Sequence, residues 1–232
     1  MRKLITAFLF TLMVQPATAG SPINVDLACP IWDETAPAIE SPSCSSTGRG
    51  TLSLRSITSC DFITRLPVCP KSGIPLYWGF DGIDPATLEE IVASDAWKAL
   101  EGKSRYLRAH LLEMRLELLN PVQRFLLMYG GYQYDLDKSW GDEQYLSVLL
   151  PIADAAIAAS NDDMPIFINL MTALALIHAH RPDDAKARIE AARAHPQFAG
   201  YPAPGVVADA MTACLHTPEA ETCHPEYEVQ MQ

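Results

Sequence analysis

SRYLRAHLLEMRLELL, residues 104–119, is the stretch whose reading decides the fold class. Stepped round a helix at about 100° per residue from Leu107, it puts Leu107, Leu111, Met114 and Leu118 on one face. Leu112, Leu116 and Leu119 fall on nearly the opposite face, so the helix is packed on two sides. Two polar strips run between the faces, Arg108 with Arg115, and His110 with Glu113 and Glu117.

Working outward, helix signals continue on both sides. Asp84-Pro85 is a start signal, a side-chain acceptor before a Pro whose missing N–H costs nothing in the first turn, and it predicts a helix from Pro85 to about Ala99. Asn120-Pro121 ends the 104–119 helix and starts another, to about Tyr129, closed by Gly130-Gly131. A helix from Asp142 to Ser160 is expected to kink or break at Pro151, which removes a hydrogen bond and crowds the preceding turn. Further helices are expected over Met164–His180, Asp183–His195 and Val206 to about Leu215. The segment Met164–Ala179 is apolar nearly all round yet too short to span a bilayer, which makes it a buried core helix. The expectation is an all-α domain, residues 84–232, of antiparallel helical hairpins in a solenoid-like or bundle-like array.

Residues 20–83 differ in texture. Pro22, Pro30, Pro37, Pro42, Pro67, Pro70 and Pro75 interrupt any long periodicity, which reads as a loop-rich arm. Within it, Thr51–Arg65 fits a short hairpin or a single helical turn. Six cysteines, Cys29, Cys44, Cys60, Cys69, Cys214 and Cys223, allow 15 pairings. Their spacing suggests a local Cys214–Cys223 clasp, with the four N-terminal cysteines paired among themselves.

Arg2 and Lys3 precede an uncharged apolar run, Leu4–Val14, and Ala17-Thr18-Ala19 has the small-x-small pattern of a cleavage site. Residues 1–19 therefore read as a signal peptide cut after Ala19, with export to the periplasm of a Gram-negative bacterium, or secretion otherwise, and no membrane insertion afterwards. Such a compartment favours disulfides. The formal charge of −11 argues against a nucleic-acid partner, which needs a clustered excess of Lys and Arg, although Lys98–Arg124 is a local basic exception. Residues 20–133 hold 10 basic and 13 acidic side chains, and residues 134–232 hold 5 and 15, so the acidic surface belongs to the second half.

Residues 165–198 carry a helix of small and large apolar residues, a turn at Arg181-Pro182-Asp183-Asp184, and a second helix with Ala185, Ile189 and Ala192 that stops at Pro196. This unit resembles a degenerate tetratricopeptide-type hairpin, although the aromatic, Gly and Tyr positions of that family's first helix are missing. The resemblance implies stacked antiparallel helix pairs whose concave face binds peptide or protein.

Motifs for nucleophilic catalysis, phosphate binding, dinucleotides or zinc proteases do not occur. Asp135-Leu136-Asp137 begins like a calcium loop, but Trp140 and Leu146 stand where Gly and a bidentate Glu belong. Cys214, His216, Cys223 and His224 could in principle hold zinc or copper, but oxidation to a disulfide comes first. No metal or cofactor is therefore expected. Tyr129, Tyr132, Tyr134, Trp140 and Tyr145 form the aromatic hot spot of the chain, and aromatics with a polar handle favour recognition surfaces. The expected function is an exported scaffold for protein–protein interaction that uses this segment and the acidic half against a basic partner. Two alternatives are a secreted inhibitor or immunity-type protein and a hydrolase-like enzyme on which His110, Glu113, Glu117, Asp135 and Asp137 converge.

Overall fold

The computed structural model describes residues 20–61, 66–77 and 79–230. The signal peptide expected over residues 1–19 and its expected cleavage site lie outside the described residues, as does the end of the 51–65 segment. The chain is not all-α. The described residues are 51% helix and 13% strand, and four of the five strands of two small antiparallel sheets lie in the arm that the composition had presented as loop. Strand β1 (Ile23–Ala28) pairs with β2 (Thr35–Glu40), in register from Ile23 opposite Glu40 to Ala28 opposite Thr35. Left-handed Trp32 and Asp33 make the turn between them. Strand β3 (Ser46–Thr51) lies between β4 (Ser56–Thr58) and the C-terminal β5 (Glu228–Gln230).

These strands escape a sequence reading for a physical reason. TAPAIE and STGRGT carry little of the β-branched and aromatic content that marks a strand. Turns and crosslinks hold them instead. Cys44–Cys60 ties the segments flanking β3 and β4, Cys29–Cys69 anchors the end of β1, and Cys214–Cys223 is the expected local clasp.

Helices α1 (Pro85–Ala93), α2 (Asp95–Lys98) and α3 (Arg105–Leu116) follow. Ser94 divides the first predicted helix by capping the second, its Oγ accepting from Trp97 N–H. Next come α4 (Pro121–Tyr134), α5 (Leu136–Ser139), α6 (Glu143–Ala159), α7 (Met164–His178), α8 (Pro182–Arg193) and α9 (Pro202–Cys214). Helix α6 runs unbroken through Pro151. Apolar all round, α7 sits at the centre of the helical body against α4, α6, α8 and α9.

Both flanks of α3 are used, but the faces divide differently from the leucine pattern, since Leu111, expected beside Leu107, packs with Leu112 and Leu116 against the second core. Tyr106 and Leu107 enter the main core, whereas Leu112 enters a second core with Ile31, Ala36, Cys69, Ile74, Leu88, Ile91 and Trp97. The arm thus shares a core with the helices instead of hanging from them, and its Leu52 is buried in the main core. Met114, placed by the sequence on an apolar face, is exposed. Helix α3 stops at Leu116 because Glu117 turns left-handed at φ 52°, and the buried Glu113 carboxylate accepts the Leu119 N–H at 2.8 Å.

Gly130-Gly131 does not close α4 as expected. Both glycines lie inside the helix, where a Cβ on Gly130 would meet Tyr106 Cε1 at 2.6 Å and one on Gly131 would strike the Tyr145 hydroxyl. Gly131→Ala, which gains about 1 kcal/mol in an open helix, should here destabilise by about 2 kcal/mol through overpacking. Urea unfolding of Gly131→Ala, Tyr145→Phe and the double variant measures this. The expected double loss is smaller than the sum of the singles, and a Gly131→Ala protein as stable as the parent refutes the packing argument.

Candidate functional site

The aromatic segment turns inward. Phe125, Tyr129 and Tyr132 stack along α4 with centroids 5.8 and 5.9 Å apart, and Tyr145 meets Tyr132 edge-on at 5.4 Å. Tyr129, Tyr132 and Tyr145 are buried, and Tyr145 Oη donates to the Met128 carbonyl. Three of the five predicted recognition residues therefore build the core, Tyr129 and Tyr132 through the stack on the inner face of α4 and Tyr145 through the close approach that Gly131 allows. Trp140 is half-buried between His178 and His224, its ring 4.2 and 4.7 Å from theirs. Only Tyr134 of this set lines a hollow.

Of the residues of the enzyme alternative, Asp135 and Asp137 border one hollow, whereas His110, Glu113 and Glu117 are not among its lining. Asp135 sits at the N-terminal end of α3, accepting from Ser104 Oγ at 2.7 Å and Arg105 N–H at 3.3 Å. Glu113 lies at the other end of this 12-residue helix, about 18 Å long, where it accepts from Leu119 N–H, Arg124 Nη2 and Tyr77 Oη. Glu117 and Asp137 are exposed, and His110 is half-buried. Cys214 and Cys223 are bonded to each other and His216 is exposed, so these residues offer a metal no thiolate.

What the structure does assemble is a trough around residues 54–61. Three hollows of about 310, 290 and 330 Å³ share walls. The first lies over Leu54–Ser56, Asp61 and Tyr134. It shares Arg55, Asp61, Gln133 and Tyr134 with the second, which Asp135, Asp137 and Glu226 complete. Across Leu54 and Ser56 the third is apolar, walled by Phe167, Met171 and Ala203. Strand β4 and the turn before it supply one wall, the end of α4 another, and α7 with α9 the far end.

Each wall has a local cause. Leu54 adopts φ 61° in a turn closed by Thr51 N–H to the Arg55 carbonyl. That turn aims Arg55 over the Tyr134 ring, with its guanidinium carbon 6.0 Å from the centroid, and Arg55 Nη1 lies 3.0 Å from Asp61 Oδ2. Partial burial pushes the Asp61 carboxyl up, but the Thr58 N–H and Arg55 outweigh it and hold the group below its ordinary value. The polar hollows are therefore lined by four carboxylates, Asp61, Asp135, Asp137 and Glu226, against one guanidinium. Little in the sequence announces this site. Its residues come from five separate segments, and the Asp135–Asp137 pair is the one local signal.

Charge pairing elsewhere leaves the acidic surface unneutralised. Of the five cations beyond residue 133, four pair with carboxylates of the same half: Arg181 with Asp184, Lys186 with Glu190, Arg188 with Asp154, and Arg193 with Asp209.

His178, 5% exposed with no hydrogen-bond partner on Nε2, gives a pH signature. Burial pushes its pKa down to about 4; the Cys223 carbonyl opposes this, while His224 and His180 add to it. The unfolded chain takes up this proton near pH 6.5 and the folded chain only near pH 4, so stability falls as pH drops through that window. The loss levels off below pH 4 at about 3 kcal/mol. Chemical unfolding at pH 7 and pH 4.5 should show it, and His178→Phe should remove most of the slope; an unchanged slope refutes the assignment. No family model, curated protein or solved structure matches this chain.

Proposed function

We propose that this is an exported binding protein that holds a segment of a partner protein in the trough between β4, the end of α4, and α7. One observation carries the reading: three hollows with shared walls form an elongated site with a polar and an apolar end, and of the residues named for catalysis only Asp135 and Asp137 border it, with no His, Ser or Cys nucleophile–base pair beside them among the described residues. Elongated sites with alternating chemistry suit a chain, since each hollow takes one side chain while the backbone passes between them. Small-molecule sites are more enclosed and bury most of their ligand.

Three disulfides, with no free cysteine among the described residues, suit an oxidising compartment. The finer assignment, the periplasm of a Gram-negative bacterium or the exterior of another cell, rests on the charged and apolar pattern of residues 1–19. The tetratricopeptide-type hairpin would then serve as scaffold. Its first helix, α7, offers the trough only Phe167 and Met171, because the rest of that helix is packed by its neighbours.

A photo-crosslinking residue in place of Ser56, on the trough wall, tests the site in the native host. An otherwise identical protein with the crosslinker at Lys186, on the outer face of α8, is the control. A discrete adduct from position 56 and none from position 186 is the expected outcome. Equal labelling from both positions, or none from position 56, refutes the trough as the partner site.

A further inference from the structure

Resting on that reading of the trough, we infer that its occupant is an extended segment with a Lys or Arg in the Asp61–Asp137–Glu226 hollow and a bulky apolar residue in the Leu54–Phe167–Met171 hollow. Charge complementarity decides the first half. Of the four carboxylates that line the two polar hollows, Asp61 is paired with Arg55 and the buried Asp135 is held by Ser104 and the Arg105 N–H, which leaves the exposed Asp137 and Glu226 to meet a ligand. An anionic side chain would meet a net negative wall, whereas a cationic one gains from it in both approach and register.

The groups around these hollows do not reverse the sign. Lys103 is paired with Asp142 at 3.2 Å, and Arg105, whose Nη1 donates to the neutral Leu66 carbonyl at 2.6 Å, keeps its charge but with Arg55 makes only two cations against the four carboxylates. In the third hollow Arg49 is bound to Glu228, so the apolar wall of Leu54, Phe167, Met171 and Ala203 sets the preference there. An aromatic or branched aliphatic side chain, removed from water against these residues, supplies the affinity, while the carboxylates fix direction.

Leu54 and Ser56 wall both the first and the third hollow, so a chain in the trough passes along the 54–56 turn to reach either end. A helix would present both anchors on one face at a fixed rise. The bend of the path around this turn favours extended backbone.

The test is selection from a displayed library of random dodecapeptides against the intact, oxidised protein, followed by fluorescence anisotropy on the enriched peptides. Enrichment of a basic residue and a bulky apolar residue at a recurrent spacing is expected. Asp137→Asn combined with Glu226→Gln should weaken binding about tenfold and flatten its salt dependence. Phe167→Ser should weaken binding with the salt dependence unchanged. Both sets of side chains are exposed or half-buried, and circular dichroism checks that each variant folds. Enrichment of acidic or uncharged peptides that still respond to Phe167→Ser refutes the proposed occupant and leaves the trough as a binding site. No enrichment, or binders indifferent to all three substitutions, refutes the trough itself.

Discussion

Two tyrosines press the hydroxyl ends of their rings close to a helix backbone because two successive residues of that helix carry no side chain. Tyr106 from α3 and Tyr145 from α6 occupy the positions where residues 130 and 131 of α4 would carry Cβ atoms. Three helices are thereby fixed at close range by a contact no other residue pair permits. The Phe125–Tyr129–Tyr132 stack lies along the same helix, and the end of α4 at Tyr134 and Asp135 becomes a rigid wall. The trough inherits its geometry from this constraint, since Gln133 and Tyr134 follow the glycines directly.

The second organising element is the buried Glu113 carboxylate. A charge removed from water is tolerable only when paired and hydrogen-bonded. Here the partners come from three parts of the chain: Tyr77 from the arm, the Leu119 N–H after α3, and Arg124 from α4. The group that the sequence offered among the residues of an enzyme alternative is thus a fastener between the arm and the helices. Trp32 Nε1, donating to Glu89 at 2.9 Å, makes a second such tie at the surface.

What the sequence disclosed follows from the range of the interactions involved. Helix starts at Asp84 and Asn120 were legible because capping is local, and the two-sided burial of α3 was legible because periodicity is local. The cysteine clasp at 214–223 needed only proximity along the chain. The strands were not legible, since TAPAIE and STGRGT pair through turns and crosslinks rather than through intrinsic preference. Gly130-Gly131 was misread because a glycine pair that ends a helix and one that admits two rings look alike in one dimension. The aromatic hot spot was a real cluster turned to the wrong side. The trough could not be seen at all, because it joins segments near residues 46–61, 133–137, 167–171, 203 and 226.

One consequence lies in the order of folding. Strand β3 is completed on one side by β5, and Arg49 Nη1 reaches Glu228 across 179 residues of sequence. That sheet, and with it the bond from the Leu52 N–H to the Tyr227 carbonyl, closes only once residues 227–230 are available. Contacts between sequence-distant partners are the slow ones to form, so a chain emerging from its N-terminus keeps β3 unpaired on that side until β5 arrives. In the exported protein proposed above, the same lag would leave this seam open during transit.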